Sequence, residues 1–420
     1  MWSRRQFGLL GAAATLAPRV ALAGVPESRR CFLFLHCRGG WDPLVSLLPA
    51  MDAGDTDAGA VAAEASGIGF VDHPDRPSVR AFFEDHGDRT CLVHGLEVRS
   101  IAHERCHRLV LTGRGDAGAD DWPSVLAANA EQRLLLPHLL LAGGAFNRLH
   151  GDVVVRVGDD GQLPALLSGV ALGQSDEIAR IRPSSATDAL TQAYMRERLG
   201  RLSETLPSVD RKAVADDYLA ALDGVVGLQE ASDGLELAPP DLGCERDIVA
   251  DAATAFDCFE RGLSRCAMLA YDGWCAEGWD THKDNTAQSR NFEDLFAYLA
   301  GVVADLDARP GLAGGTLADD VTIVVFSEMG RSPRLNPWGG KDHWTFTSAM
   351  LFGAGVRGGQ SVGSVDTEAR GLPVDLSTGT TGSGTALVTG HLGSTVLSLG
   401  GLDGLALTGE SPILAAMAGT

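Results

Sequence analysis

The segment "SEMGRSPRLNPWGGKDHW" (327–344) gathers Glu328, Arg331, Asp342 and His343 directly behind the apolar run "VTIVVF". A carboxylate one residue past a buried strand is costly unless something positive meets it. Arg331 is one candidate for that cation and a metal ion is the other. A second cluster is "GWDTHKDN" (278–285). In extended chain Asp280 and His282 point to the same side, and a carboxylate with an imidazole so placed can ligate one divalent ion. Asp284 is a candidate cap for the helix that follows. A third is "AHERCHRLVLTGR" (102–114), where His103 and His107 are four apart on one helical face with Cys106 nearby. That spacing suits either a metal pair or a polar helix start. The fourth is His36, Cys37, Arg38 and Asp42. Asp42, in "GGWDP", is either a ligand or a turn aspartate that satisfies backbone amides. His36 is either a packed core histidine or a ligand.

The elements that must carry these clusters alternate. "CFLFLHC" (31–37), "TCLVHGL" (90–96), "GDVVVRVG" (151–158), "CAMLAYDG" (266–273), "VTIVVF" (321–326) and "TSAMLFGAG" (347–355) read as strands. "SVRAFFEDHG" and the stretch ending at Gly113 read as helices, as does "TAQSRNFEDLFAYLAGVVADLDAR" (286–309). Residues from about 185 to 265 read as long helices rich in exposed charge, a helical insertion. Such alternation predicts an α/β fold, a largely parallel central sheet with helices on both faces. Ligands in such sheets bind outside the carboxyl ends of the strands, which is where all four clusters fall.

The chain has 420 residues, 45% hydrophobic and 21% charged, and is globular in composition. Its formal net charge is −21. That field repels nucleic acid and anionic membrane surfaces, which are excluded as partners. It would also repel an anionic substrate unless cations offset it locally. The N-terminal "SRRQFGLLGAAATLAPRVALAG" has Arg4 and Arg5 ahead of a weakly apolar segment that ends in a small-x-small site at Ala23. It resembles a twin-arginine export signal cut after Ala23. The expected location is therefore periplasmic or secreted, with the export machinery as a partner and no stable membrane span after cleavage. Eight cysteines (31, 37, 91, 106, 244, 258, 266, 275) are scattered without a CxxC pair. They read mostly as small buried hydrophobes.

In order along the chain, the GGxD turn, the helix ending in "LTGR", "GWDTH", "SEMGR…GGKDHW" and "GAGVRGGQSVG" resemble the twin-arginine-exported family catalogued as domain of unknown function 1501. That family is similar to the alkaline phosphatase and sulfatase superfamily. The resemblance implies an alkaline phosphatase-like sandwich over residues 24–420. It implies a site for divalent metal (zinc, manganese or calcium not distinguished) with Asp42, Asp280, His282, Glu328 and His343 as ligands. His103 falls at the nucleophile position and, with Arg331, is the expected catalytic group. Arg38 and Asp342 are the expected substrate-binding residues. The chain departs from the superfamily pattern at Met329, where a histidine is expected, and lacks a Cys-x-Pro-x-Arg motif. The implied function is metal-dependent hydrolysis of phosphate or sulfate esters, with a small anionic ester as partner. The alternative is a non-catalytic protein that binds an envelope ligand or serves assembly.

Overall fold

A computed structural model describes residues 26–157, 185–205, 247–274 and 278–419, with scattered positions between 212 and 228. The export segment with Arg4, Arg5 and Ala23, the cysteines 244 and 275, and much of the stretch between 206 and 246 lie outside the described residues. Twelve strands are described: β1 (Cys31–Cys37), β2 (Val61–Ala65), β3 (Ile68–Asp72), β4 (Thr90–Glu97), β5 (His138–Leu140), β6 (Val154–Arg156), β7 (Cys266–Tyr271), β8 (Val321–Phe326), β9 (Gly330–Arg331), β10 (His343–Trp344), β11 (Phe346–Gly353) and β12 (Gln360–Val362). Eight of them form one sheet in the order β12-β4-β11-β8-β1-β7-β5-β6. Every neighbouring pair in it is parallel except the two that β11 makes, with β4 and β8. The fold is α/β with a largely parallel sheet, as the alternation predicts. The antiparallel insertion of β11 is an addition to that expectation.

The period of two in β1 builds both layers of the core. Leu33 and Leu35 face one cluster, which includes Phe82, Phe256, Phe292 and Phe296 of three covering helices, Pro77–His86, Ile248–Glu260 and Thr286–Ala308. Phe32 and Phe34 face the other, with Val110, Leu126 and Val396 from His103–Thr112, Trp122–Ala128 and Thr389–Leu399. His36 continues the second series, so its ring is delivered to the side of the sheet covered by the helix His103–Thr112. Gly113, in the left-handed conformation at φ 68°, ends that helix where the sequence places its stop.

Three readings shift. The strand expected at 151–158 is a 3-10 turn, Gly151–Val153, followed by the short β6. The short strand β5, the short edge strand β12 and the hairpin β2–β3, which turns through Ser66 and Gly67 at positive φ, carry too little periodicity to be read in sequence. Ile248–Glu260, expected within the helical insertion, buries Phe256 and Phe259 against the sheet and belongs to the core layer.

His94 on β4 is buried, with Nδ1 2.9 Å from Ser348 Oγ. Burial pushes its imidazole down to about 4. The unfolded chain therefore binds a proton between pH 6.5 and 4 that the folded chain refuses, so stability is present above the unfolded value and lost as pH falls through that window. His94→Asn should flatten the acid loss by up to about 1.4 kcal/mol per pH unit, read from urea unfolding of both proteins between pH 7 and 4.5. Equal slopes would contradict the assignment.

Candidate metal centre

Glu328 follows β8 after one residue, Ser327, and is wholly buried. Its carboxylate accepts the Gly39 N–H at 2.9 and 3.1 Å and the Ser327 hydroxyl at 3.2 Å. Three imidazoles surround it: His103 Nδ1 at 2.8 Å, His107 Nε2 at 3.2 Å and His36 Nε2 at 3.4 Å. Burial works to raise its pKa, but the neighbouring imidazoles of His103, His107 and His36 hold the group well below the usual carboxylate range. Burial in turn depresses His36, whose ring stacks on Phe326 and meets His107 edge-on.

A second group lies beside the first. Asp280 Oδ1 is 3.2 Å from both His282 Nε2 and His343 Nε2, and Oδ2 is 3.6 Å from His103 Nε2. Burial opposes ionisation of Asp280 too, yet its contacts with His103, His343 and Arg331 keep its carboxyl well below the ordinary range. His103, set between the carboxylates of Asp280 and Glu328, is pushed up to about 9.

The elements explain this convergence. β1, β4, β7 and β8 run parallel, so the chain after each emerges at one sheet edge. Glu328 follows β8, Asp280 and His282 follow β7, and His103 opens the helix after β4. His343 reaches the same edge because β10 precedes the antiparallel β11, and β10 pairs with β9 so that His343 faces Arg331 in register.

Two sets of potential ligand atoms each cluster closely enough to hold a cation: an inner group of His36, His107 and Glu328, and an outer group of His103, Asp280 and His343. Their surroundings fit a metal. The buried Nε2 atoms of His36, His103 and His107 make no hydrogen bond, although a carboxylate oxygen lies within 3.2–3.6 Å of each. His343 Nδ1 must donate to the Ile101 carbonyl, 2.7 Å away, because a carbonyl only accepts. In the neutral ring that leaves Nε2 as a lone pair, facing Asp280 Oδ1 and His282 Nε2. His282 has Asp342 on Nδ1 at 3.3 Å, and its Nε2 lies 2.9 Å from that of His343. Anchoring of one ring nitrogen by a carbonyl or carboxylate while the other points inward is how metal-binding histidines are oriented.

The structure thus brings His103, Asp280, His282, Glu328 and His343 together. Other assignments change. Asp42, expected as a ligand, belongs to neither group. It is wholly buried, accepts from Lys341 Nζ at 2.7 Å and Asn285 Nδ2 at 3.1 Å, and caps the short helix Pro43–Ser46 through Leu44 N. The turn reading of Asp42 is the one that the structure supports. Arg331, expected to act on substrate, has a fully buried guanidinium that cannot reach one. Arg38 is paired with Asp272 at the surface, and Asp342 serves His282. Met329 is buried with Val98, Cys106 and Leu109, so an apolar contact stands where a histidine was expected. His36 and His107 were left open in sequence. The period of two along β1 and the spacing of four along the helix are the signals that carry them.

This is an α/β protein with a histidine–carboxylate centre at the carboxyl edge of its sheet. The family model described as "Protein of unknown function (DUF1501)" matches residues 64–380, and the chain belongs to that family. No curated protein matches it in sequence. Among solved structures it is similar to the lipoteichoic acid synthase LtaP from Listeria monocytogenes, at 8% identity over 93% of this chain and 76% of that one, with a TM-score of 0.38. It is also similar to the PsFucS1 sulfatase from Pseudoalteromonas sp., at 12% identity over 90% and 68%, with a TM-score of 0.31.

The structural role of Asp42 is testable. Asp42→Asn leaves the Lys341 ammonium in a dry interior and should cost about 3–5 kcal/mol in chemical denaturation. The double variant Asp42→Asn, Lys341→Met should recover most of that loss. Were Asp42 a ligand, the single variant would lose bound metal and the second change would not restore it.

Proposed function

We propose that the protein is an exported, metal-dependent hydrolase of phosphate or sulfate esters. The observation that carries this reading is the convergence of buried imidazole nitrogens without hydrogen bonds on two carboxylates at the carboxyl edge of the sheet. His36, His107 and Glu328 would hold one divalent ion, and His103, Asp280 and His343 a second. Such ions supply Lewis acidity toward an ester oxygen and toward water.

The chain's own residues do the rest. Glu328 anchors His103 through Nδ1 and so keeps Nε2 of that ring aimed at Asp280. His282 is partly exposed and oriented by Asp342, which suits it to carry a proton to the leaving group or from the attacking water. Arg38, at the rim, is the cation available to meet the anionic ester once it exchanges Asp272 for substrate. Ser327 is buried and committed to Glu328 and to the Trp41 N–H. Burial raises the Cys106 thiol to about 11. Neither is an activated nucleophile, so the reaction favoured is direct attack by water rather than a covalent intermediate on these residues.

The same observation on Ser327 and Cys106 favours a second reading, an envelope binding or assembly protein that keeps the fold without turnover. Among the described residues no helix is long and apolar enough to cross a membrane, which is compatible with either reading.

Purified full-length protein should carry near-stoichiometric divalent metal and hydrolyse an aryl phosphate or aryl sulfate in a chelator-sensitive manner. Glu328→Gln should lower kcat/KM by at least about 100-fold, the scale of loss for removal of a catalytic electrostatic group. Metal without turnover across both ester classes would select the binding protein instead. For export, Arg4→Lys with Arg5→Lys should leave an uncleaved precursor inside the cell; normal processing of that variant would refute the twin-arginine assignment.

A further inference from the structure

Arg331 is wholly buried, and each of its guanidinium nitrogens is engaged. Nε donates to the Gly40 carbonyl at 2.8 Å, and Nη1 donates to that of Lys341 at 3.2 Å. Nη2 donates to the carbonyls of Gly39 and Trp279 and, at 2.6 Å, to Asp280 Oδ1. One side chain therefore ties together the turn after β1, the loop after β7 and the return toward β10. The turn is shaped to it: Gly40 sits at φ 86°, and a Cβ there would come within 3.2 Å of Nη2 and 2.9 Å of Met329.

The two ligand groups depend on this knot unequally. Glu328 is held by the Gly39 N–H, by Ser327 and by complete burial. Asp280 has a side chain 50% exposed. Its neighbours other than Arg331 are His103, His282 and His343, the rings that would turn to a metal. Of these four, Arg331 alone would keep its bond to Asp280 when the rings turn their Nε2 atoms to a metal. Resting on the metal-centre reading, we infer that Arg331 is the positioning residue of the outer group: it aims Asp280 so that a cation can bind there, while the inner group loads without it. Loss of its charge would by itself favour a nearby cation. The aim outweighs that gain, because a carboxylate on an exposed loop then loses the one partner that does not itself turn to the metal.

The test is cobalt titration of metal-stripped, full-length protein, followed by ligand-field absorbance and calorimetry. Wild type should bind in two steps. Arg331→Met should keep the tight step and weaken the other about 10–100-fold, the range for loss of an orienting partner. Arg331→Lys, which keeps the charge without the fork, should fall between, and it carries the same expectation if the methionine variant does not fold. Two unchanged steps, or two steps weakened alike in proportion to a fall in Tm, overturn the inference. A wild type that binds no cobalt overturns the metal reading itself, whereas two wild-type steps indifferent to Arg331 overturn only the role given to this residue.

Discussion

A carboxylate with no solvent exposure at the end of β8 is the constraint on which the rest of the site depends. Glu328 cannot ionise there without donors around it. The fold supplies them from three directions: the Gly39 amide after β1, His36 at the end of β1, and His103 with His107 from the helix after β4. The parallel register of β1 with β8 sets His36 opposite Phe326, and the two rings stack. The spacing of four along the helix then brings His107 to the same oxygen as His103. Strand register, helix phase and turn geometry are thus all tied to one charge.

Below that layer lie two buried cations, each with a carboxylate of its own. Lys341 pairs with Asp42, which ties the "GGKDHW" return to the "GGWDP" turn. Arg331 pairs with Asp280 and with the carbonyls of the same turns. Buried ion pairs contribute little net stability, because desolvation offsets their attraction. What they supply here is geometry. The glycines at 39 and 40, both at positive φ, let the backbone pass close enough for its carbonyls to receive the guanidinium.

Much of this was legible from residue order. The runs 31–37, 90–96, 266–273 and 321–326 were each apolar, bounded and followed by polar groups, and the strands lie there. The rule that ligands gather at carboxyl ends places the polar clusters at one sheet edge, and the histidines and carboxylates converge there. What escaped has physical reasons. β5 and β12 are three residues long, too short for periodicity to register. The direction of β11 depends on a chain reversal through β10 rather than on its composition. Asp42 and Arg331 were misjudged because sequence reveals charge but not burial: an aspartate in a turn and an arginine near a carboxylate look the same whether they meet a ligand or a carbonyl. His36 and His107 were visible but ambiguous, since an imidazole is at home both in a core and on a metal.

The donor set also narrows which ion can sit there. Calcium prefers six to eight oxygen ligands, whereas the two groups together offer His36, His103, His107 and His343 against only Glu328 and Asp280. Imidazole-rich sites suit zinc and its first-row neighbours, so of the metals left open by the sequence, calcium fits least. Neutral imidazoles carry a further electrostatic consequence. Two divalent ions held by only two carboxylates, with Arg331 alongside, would leave the centre net positive inside a chain of formal charge −21. An anion repelled by that net charge within the roughly 8 Å that salt leaves unscreened would then meet attraction only at the sheet edge. An all-carboxylate site would lack that local reversal of sign. On the proposed reading, nitrogen ligands would reconcile so acidic a protein with an anionic ester.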